Sequence, residues 1–341
     1  MGGKPATVSL LIVVVTLLLA APLAVDAQQA GQALQTVGVL TPQRLEQQAG
    51  YPTFLETLRL RGYQEGSNLR MLVRSADGKL DRLPALAAEL VAAGPDVIVA
   101  LNTPGARAAI GATKQIPIVM AIVGDPVAMG FVSNLARPGG NVTGISNISR
   151  ELAAKRLSLV KEAVPGAKRI AAMFNPDDPL NALQKEDVQR AAPTLKVDVN
   201  FFPVQAPGEL AETFKRIGAW RAEAALWLSG QSQALQPAAV KLAATYRLPV
   251  LGTYRAVVEQ GGLMSYSPDD AELYRRTAFY VDRILKGSKP GDLPIELPTK
   301  FALVINAKTA KTLGVSLPQS LLLRADQLIE EAIRRRAQLS V

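Results

Sequence analysis

The feature that most constrains this chain is a regular alternation of short, continuously apolar runs with longer amphipathic segments. Thr36–Leu40, Leu69–Arg74, Val97–Leu101, Ile116–Val123 and Val142–Ile145 read as strands, and Arg169–Phe174, Val197–Val204, Ala224–Leu228, Pro249–Leu251 and Gly262–Met264 continue the series. Between them, apolar residues recur at helical spacing. Phe54, Leu55 and Leu58 mark one face, and Leu80, Leu83, Leu86, Ala87, Leu90 and Val91 another. Further helices are expected at about Ala106–Lys114, Arg150–Val164, Leu180–Ala192, Glu209–Ala219 and Ala234–Tyr246. Strands without polar alternation are buried on both faces, so the pattern predicts α/β architecture with parallel sheets and right-handed crossovers. Near ten strands in 341 residues exceed one compact sheet and predict two doubly wound lobes. Arg137–Ser146, rich in glycine and polar residues, is the expected first passage between them. A further strand at Phe301–Ile305 and two helices fill the tail after Pro290.

Two residue types are missing altogether: the chain contains no Cys and no His. That removes disulfides, thiolate and imidazole metal sites, cysteine nucleophiles and Ser-His-Asp arrangements. Only carboxylate, lysine or tyrosine chemistry, or a hard cation on carboxylates, remains open, and an enzyme becomes the less favoured reading. No cofactor is expected. The strand-to-helix turns hold neither a P-loop nor a dinucleotide fingerprint. The formal charge of +9 comes with only 5% aromatic residues, which argues against nucleic acid as a partner.

The N-terminus reads as an export signal over residues 1–27. Lys4 precedes Val8–Ala21, apolar except for Ser9 and Thr16, and Val25-Asp26-Ala27 places cleavage before Gln28. The apolar run is shorter than the roughly 20 residues a membrane span needs. With no Cys to carry a lipid, the expected location is an enclosed periplasm. The basic C-terminal tail, 331–341, with Arg334–Arg336, reads as a solvated face.

In doubly wound sheets ligands sit beyond the carboxyl ends of strands. Those ends carry Thr41, Asn102, Thr103, Gly124, Asp125, Asn147, Asn175, Ser229, Gly230, Thr253 and Tyr254. Hydroxyls, amides and free backbone N–H groups at helix starts suit a carboxylate, and Asp125 is the expected partner of an ammonium group. Together they point to an amino-acid-like zwitterion, although helix capping favours the same residue types. The adjacent carboxylates Asp177-Asp178, Asp269-Asp270 and Glu330-Glu331 read as caps or solvated surface. Tyr266 is expected at the start of a helix along which Tyr274, Tyr280 and Ile284 face the core.

Several segments resemble a known family. Gly124–Val132 (GDPVAMGFV) and Leu135–Gly144 (LARPGGNVTG) are similar to the signature of ABC transporter substrate-binding proteins of the tryptophan/tyrosine type. Gly261–Tyr266, Tyr274–Arg276, Tyr280–Asp282, Ile284–Gly287, Pro298–Phe301 and Leu321–Asp326 extend the match over essentially the whole mature chain. The sequence departs from the family pattern at Asp177-Asp178 and at Thr253. The resemblance implies a type I periplasmic binding protein: two lobes joined by a three-segment hinge, with the ligand between them. It assigns 36–145 plus 258–288 to lobe I and 146–257 plus 289–330 to lobe II, with the tail after Pro290 open to either lobe. It implies a small-molecule ligand, an aromatic or branched amino acid first, and an ABC permease of the inner membrane as partner, with the protein acting as a monomer. A periplasmic ligand sensor for a membrane receptor, or an exported α/β enzyme, are the alternatives.

Overall fold

The computed structural model describes residues 34–228 and 235–330. Its first layer is a five-stranded parallel sheet in the order β2-β1-β3-β4-β5, formed by β1 (Gln35–Thr41), β2 (Leu69–Ser75), β3 (Val97–Leu101), β4 (Ile118–Val123) and β5 (Val142–Ser146). β3 and β4 are buried at every position because helices cover both faces. On one face Phe54 and Leu58 of α1 (Tyr51–Leu60) pack with the strands. On the other lie Leu83, Leu86 and Leu90 of α2 (Leu83–Ala92) and Ala106 and Ala109 of α3 (Asn102–Ala112).

The second layer is a seven-stranded sheet in the order β12-β11-β10-β9-β8-β6-β7. Its strands are β6 (Arg169–Phe174), β7 (Asp198–Pro203), β8 (Ala224–Trp227), β9 (Val250–Gly252), β10 (Met264–Pro268), β11 (Phe301–Asn306) and β12 (Gln327–Ile329). All neighbours run parallel except the β10–β11 pair. One face is covered by α4 (Glu151–Ala163) and α5 (Pro179–Ala191), and the other by α6 (Leu210–Ala219) and α7 (Gln236–Thr245). α8 (Arg255–Glu259) follows β9, and α10 (Ala307–Leu313) and α11 (Gln319–Leu323) lie between β11 and β12.

The chain passes between the layers after β5, after β10 and before β11. The second passage delivers α9 (Asp270–Leu285), which packs on α1 and on β3, β4 and β5 of the smaller sheet. Tyr274, Tyr280 and Ile284 are buried there, in agreement with the helical periodicity. The segment after α9 stays with the smaller sheet: Thr143 donates to the Leu293 carbonyl at 2.8 Å, and Ile145 bridges Glu296.

Three expectations change. Arg137–Ser146 does not cross between the layers, since its second half is β5. The strand expected at Gly262–Met264 runs instead from Met264 to Pro268, and Tyr266 lies within it rather than at a helix start. That strand hydrogen-bonds inside the larger sheet, although 258–288 was expected to travel with lobe I. The tail after Pro290, open to either lobe from sequence, divides: 290–296 packs on the smaller sheet, while β11 and β12 join the larger. The changes at β10 and in 258–288 share one physical reason. A strand of five residues ending at Pro268 is followed at once by a helix capped by Asp269, so a single residue separates the two layers. Residues 1–33 and 331–341, with the export signal and the basic tail, lie outside the described residues.

Candidate ligand-binding cleft

Strand order places the crevice. In the smaller sheet the order reverses between β1 and β3, and in the larger between β6 and β8. Ligands of open α/β sheets sit outside the carboxyl ends of strands at such points. There the two layers face each other across a small chamber of about 20 Å³. Asn102, Thr103, Ile122 and Gly124 come from the smaller sheet, Asn147 and Ser149 from the first passage, and Asp178, Leu180 and Tyr254 from the larger. A cavity of about 890 Å³ shares Asn102, Ile122 and Tyr254 with it and continues along Gln48, Gly50, Asp270, Tyr274 and Phe301.

The backbone is strained at this junction. Asn102 (φ 58°), Ile122 (φ 60°), Asp125 (φ 39°) and Ile148 (φ 44°) all adopt left-handed conformations. For the β-branched Ile122 this is costly, of order 1–3 kcal/mol. It coincides with a register slip of β4 against β5 between Met120 and Val123, a bulge that turns Ile122 toward the cleft. Close approach adds a second signature. A Cβ on Gly124 would stand 2.5 Å from both Leu180 Cδ2 and Ser149 Oγ, so any larger residue must push these side chains back from the contact between the layers.

Of the residues expected from strand ends, Asn102, Thr103, Gly124, Asn147 and Tyr254 line the chamber. Thr103 Oγ1 accepts from the Gly124 N–H at 3.2 Å, tying the ends of β3 and β4. Thr41, Asn175 and Thr253 are buried beside the cleft but do not line it. Thr41 Oγ1 donates to the Gln43 carbonyl at 2.6 Å, and Asn175 Oδ1 accepts from the Asp177 N–H at 2.9 Å; both close their own turns. Ser229 and Gly230 lie outside the described residues. Asp125 lines neither space, and its carboxylate already accepts from Arg150 at 2.7 Å. Arg150 also donates to Asp187 on α5 at 3.0 Å.

Sequence reasoning missed Gln48, Asp270 and Tyr274. Tyr274 is core, but its hydroxyl donates to Gln48 Oε1 at 3.0 Å. Asp269 does cap α9, accepting from the Glu272 N–H, whereas Asp270 faces the large cavity. Burial, followed by repulsion from Asp269, pushes the Asp270 carboxyl up to about 7. Burial likewise raises the Tyr274 hydroxyl. Behind the cleft, Arg156 is buried on α4 and donates through Nε to the Tyr266 carbonyl at 2.8 Å; burial pulls its guanidinium down to about 10. Among the described residues, Ser149 Oγ and Gln48 Nε2 are buried on the cleft walls without a hydrogen-bond partner. Among the described residues no group of three or more acidic side chains is placed to hold a metal ion. The arrangement can grip a small polar molecule from both sides.

The family model described as "ABC transporter substrate binding protein" matches residues 36–329. A tyrosine-binding protein of Clostridioides difficile (strain R20291) is 27% identical over 263 residues, covering 77% of this chain and 75% of that protein. Among solved structures, the ABC domain from Streptococcus pneumonia in complex with L-Trp superimposes with a TM-score of 0.81. It is 28% identical and covers 87% of this chain and 100% of that one. A conserved domain protein from Vibrio cholerae also gives 0.81, at 29% identity over 86% of this chain and 99% of that one. The chain itself belongs to the ABC transporter substrate-binding protein family, whose members here named for a ligand are solute-binding proteins rather than enzymes.

Proposed function

We propose that this protein is the periplasmic solute-binding component of an ABC importer, capturing an amino acid between its two layers and delivering it to a membrane permease. The observation that carries this reading is the cleft itself. Polar side chains from both layers converge on it, and Ser149 Oγ and Gln48 Nε2 are buried on its walls without a protein partner. Buried polar atoms are almost always paired, so a ligand that bridges the layers would complete them. A cavity of about 890 Å³ falls in the usual range for small-molecule sites and accommodates an aromatic side chain. The tyrosine named for one relative and the L-Trp named for another support an aromatic amino acid.

Ligand that touches both layers favours the closed arrangement over the open one, and a permease would read that difference. The apolar leader supports export to the periplasm, and the chain has no cysteine to carry a lipid. Native mass spectrometry of residues 28–341 purified without refolding tests the reading. An adduct of amino-acid mass, lost on denaturation, with a higher melting temperature when the amino acid is added back, is the expected result. No adduct, together with no thermal shift for any amino acid, contradicts it.

A further inference from the structure

Most carboxylates on the wall of the large cavity are already engaged. Glu259 is ion-paired with Arg255 at 2.6 Å, Asp326 accepts from the Leu303 N–H at 2.7 Å, and Asp269 caps α9. Among the described residues Asp270 has neither a hydrogen-bond nor an ion-pair partner, although it stands on the same wall. It sits one helical turn from Tyr274, so the two side chains share a face of α9. Tyr274 in turn donates to Gln48 Oε1. The rest of that amide, Nε2, is buried with no acceptor, and Gln48 as a whole is 4% exposed. Around one phenol the cavity therefore presents an unpaired carboxylate and an unpaired amide donor.

We propose that Asp270 accepts the ammonium group of the ligand and that Gln48 Nε2 donates to its carboxylate, with Tyr274 fixing the amide between them. The assignment rests on the amino-acid reading above and makes the head group, not the side chain, the first determinant of specificity. An α-amino acid satisfies both groups at once. A solute without an amine leaves a buried carboxylate uncompensated, and one without a carboxylate leaves a buried donor unpaired, so each is rejected. Burial that already disfavours the charged Asp270 fits a site completed by a cation. Asp125 was the expected ammonium partner. It is replaced in that role because its own charge is met by Arg150.

Calorimetry with L-tryptophan and L-tyrosine, their des-amino analogues indole-3-propionate and 3-(4-hydroxyphenyl)propionate, and the amines tryptamine and tyramine tests the proposal. Wild type is expected to bind at least one of the two amino acids and to reject the matching des-amino acid by about 100-fold or more. Asp270→Asn should weaken the amino acid by about 100-fold while leaving the des-amino acid unchanged, so that discrimination collapses. Gln48→Leu should instead erase discrimination against the amine. Asp270→Asn that binds like wild type, or wild type that binds the des-amino acid equally well, overturns the proposal while the amino-acid reading stands. Wild type that takes up no amino acid overturns that reading, and this assignment with it. Thermal melts of each variant separate lost binding from lost folding. If Asp270→Asn does not fold, Asp270→Glu, which retains the charge and is expected to keep the discrimination, decides in its place.

Discussion

Arg150 donates through Nη1 to Asp125 Oδ2 at 2.7 Å, joining the end of the smaller sheet to the helix that opens the larger one. Both side chains are largely shielded, at 24% and 17% exposure, so the pair is worth more than an open surface bridge. The bridge favours the arrangement in which the layers lie together, and we propose Asp125 as a latch on that closed form. Asp125→Asn should weaken binding of L-tryptophan and of indole-3-propionate by the same factor, about tenfold, because it shifts the open–closed balance alone. Calorimetry on both ligands checks this, and a loss confined to the amine-bearing one would return Asp125 to the site.

Gly124 marks where the layers touch. Gly124→Ala would drive a methyl group into Leu180 and Ser149 across the cleft. If the layers separate without ligand, that contact opens, and the ligand-free melting temperature should move by no more than about 2 °C. Affinity should fall tenfold or more, by the population argument above. Small-angle scattering at saturating ligand should show a variant that remains extended where wild type contracts.

Gly144 differs although it lies only a short way along the same motif. It has φ 136°, and a Cβ there would overlap the backbone of Met120 on the neighbouring strand. No domain motion relieves that overlap. Gly144→Ala should cost more than about 3 kcal/mol of stability, measured by urea denaturation, with whatever protein remains folded binding normally.

The pH dependence follows from Asp270. Its carboxyl titrates at about 7 in the ligand-free protein, against an ordinary value of 3.8. The native state thus holds a proton that the unfolded chain releases, so this group lowers stability as pH rises from about 4 to 7. Affinity for an ammonium ligand runs the other way, since only the carboxylate binds it. Between pH 8 and pH 5.5 affinity should fall roughly thirtyfold, and Asp270→Asn should flatten the profile. The other charged and titratable groups on that wall are Asp269 and Tyr274 on α9, Tyr254, Arg255 and Glu259 after β9, and Lys300 and Asp326 beside β11 and β12. They are unchanged in the variant, so a profile that persists in it would point to one of them.

Much of this architecture is legible in the residue pattern. The apolar runs at Val97–Leu101 and Arg169–Phe174 coincide with β3 and β6 because a strand covered on both faces has no polar position to blur it. Half of the cleft is legible for the same reason: Asn102, Thr103 and Asn147 stand where strands end and chain direction turns toward the crevice. The other half depends on long-range closure. Tyr274 and Gln48 are 226 positions apart, and only the passage from β10 into α9 brings them together. The local pattern of Asp269-Asp270 is a capping pattern, which is correct for the first residue and silent about the second. Asp125 misleads in the opposite way, since the turn that displays its carboxylate is visible in sequence while the reach of Arg150 is not.

A crystal structure of the protein grown with L-tryptophan tests the central claim most directly. The account predicts the amino acid between the two layers, its ammonium group within 3.2 Å of Asp270, its carboxylate on Gln48 Nε2 and its ring in the large cavity beside Tyr254. Tryptophan bound elsewhere, or in the cleft with its ammonium group turned away from Asp270, would contradict it.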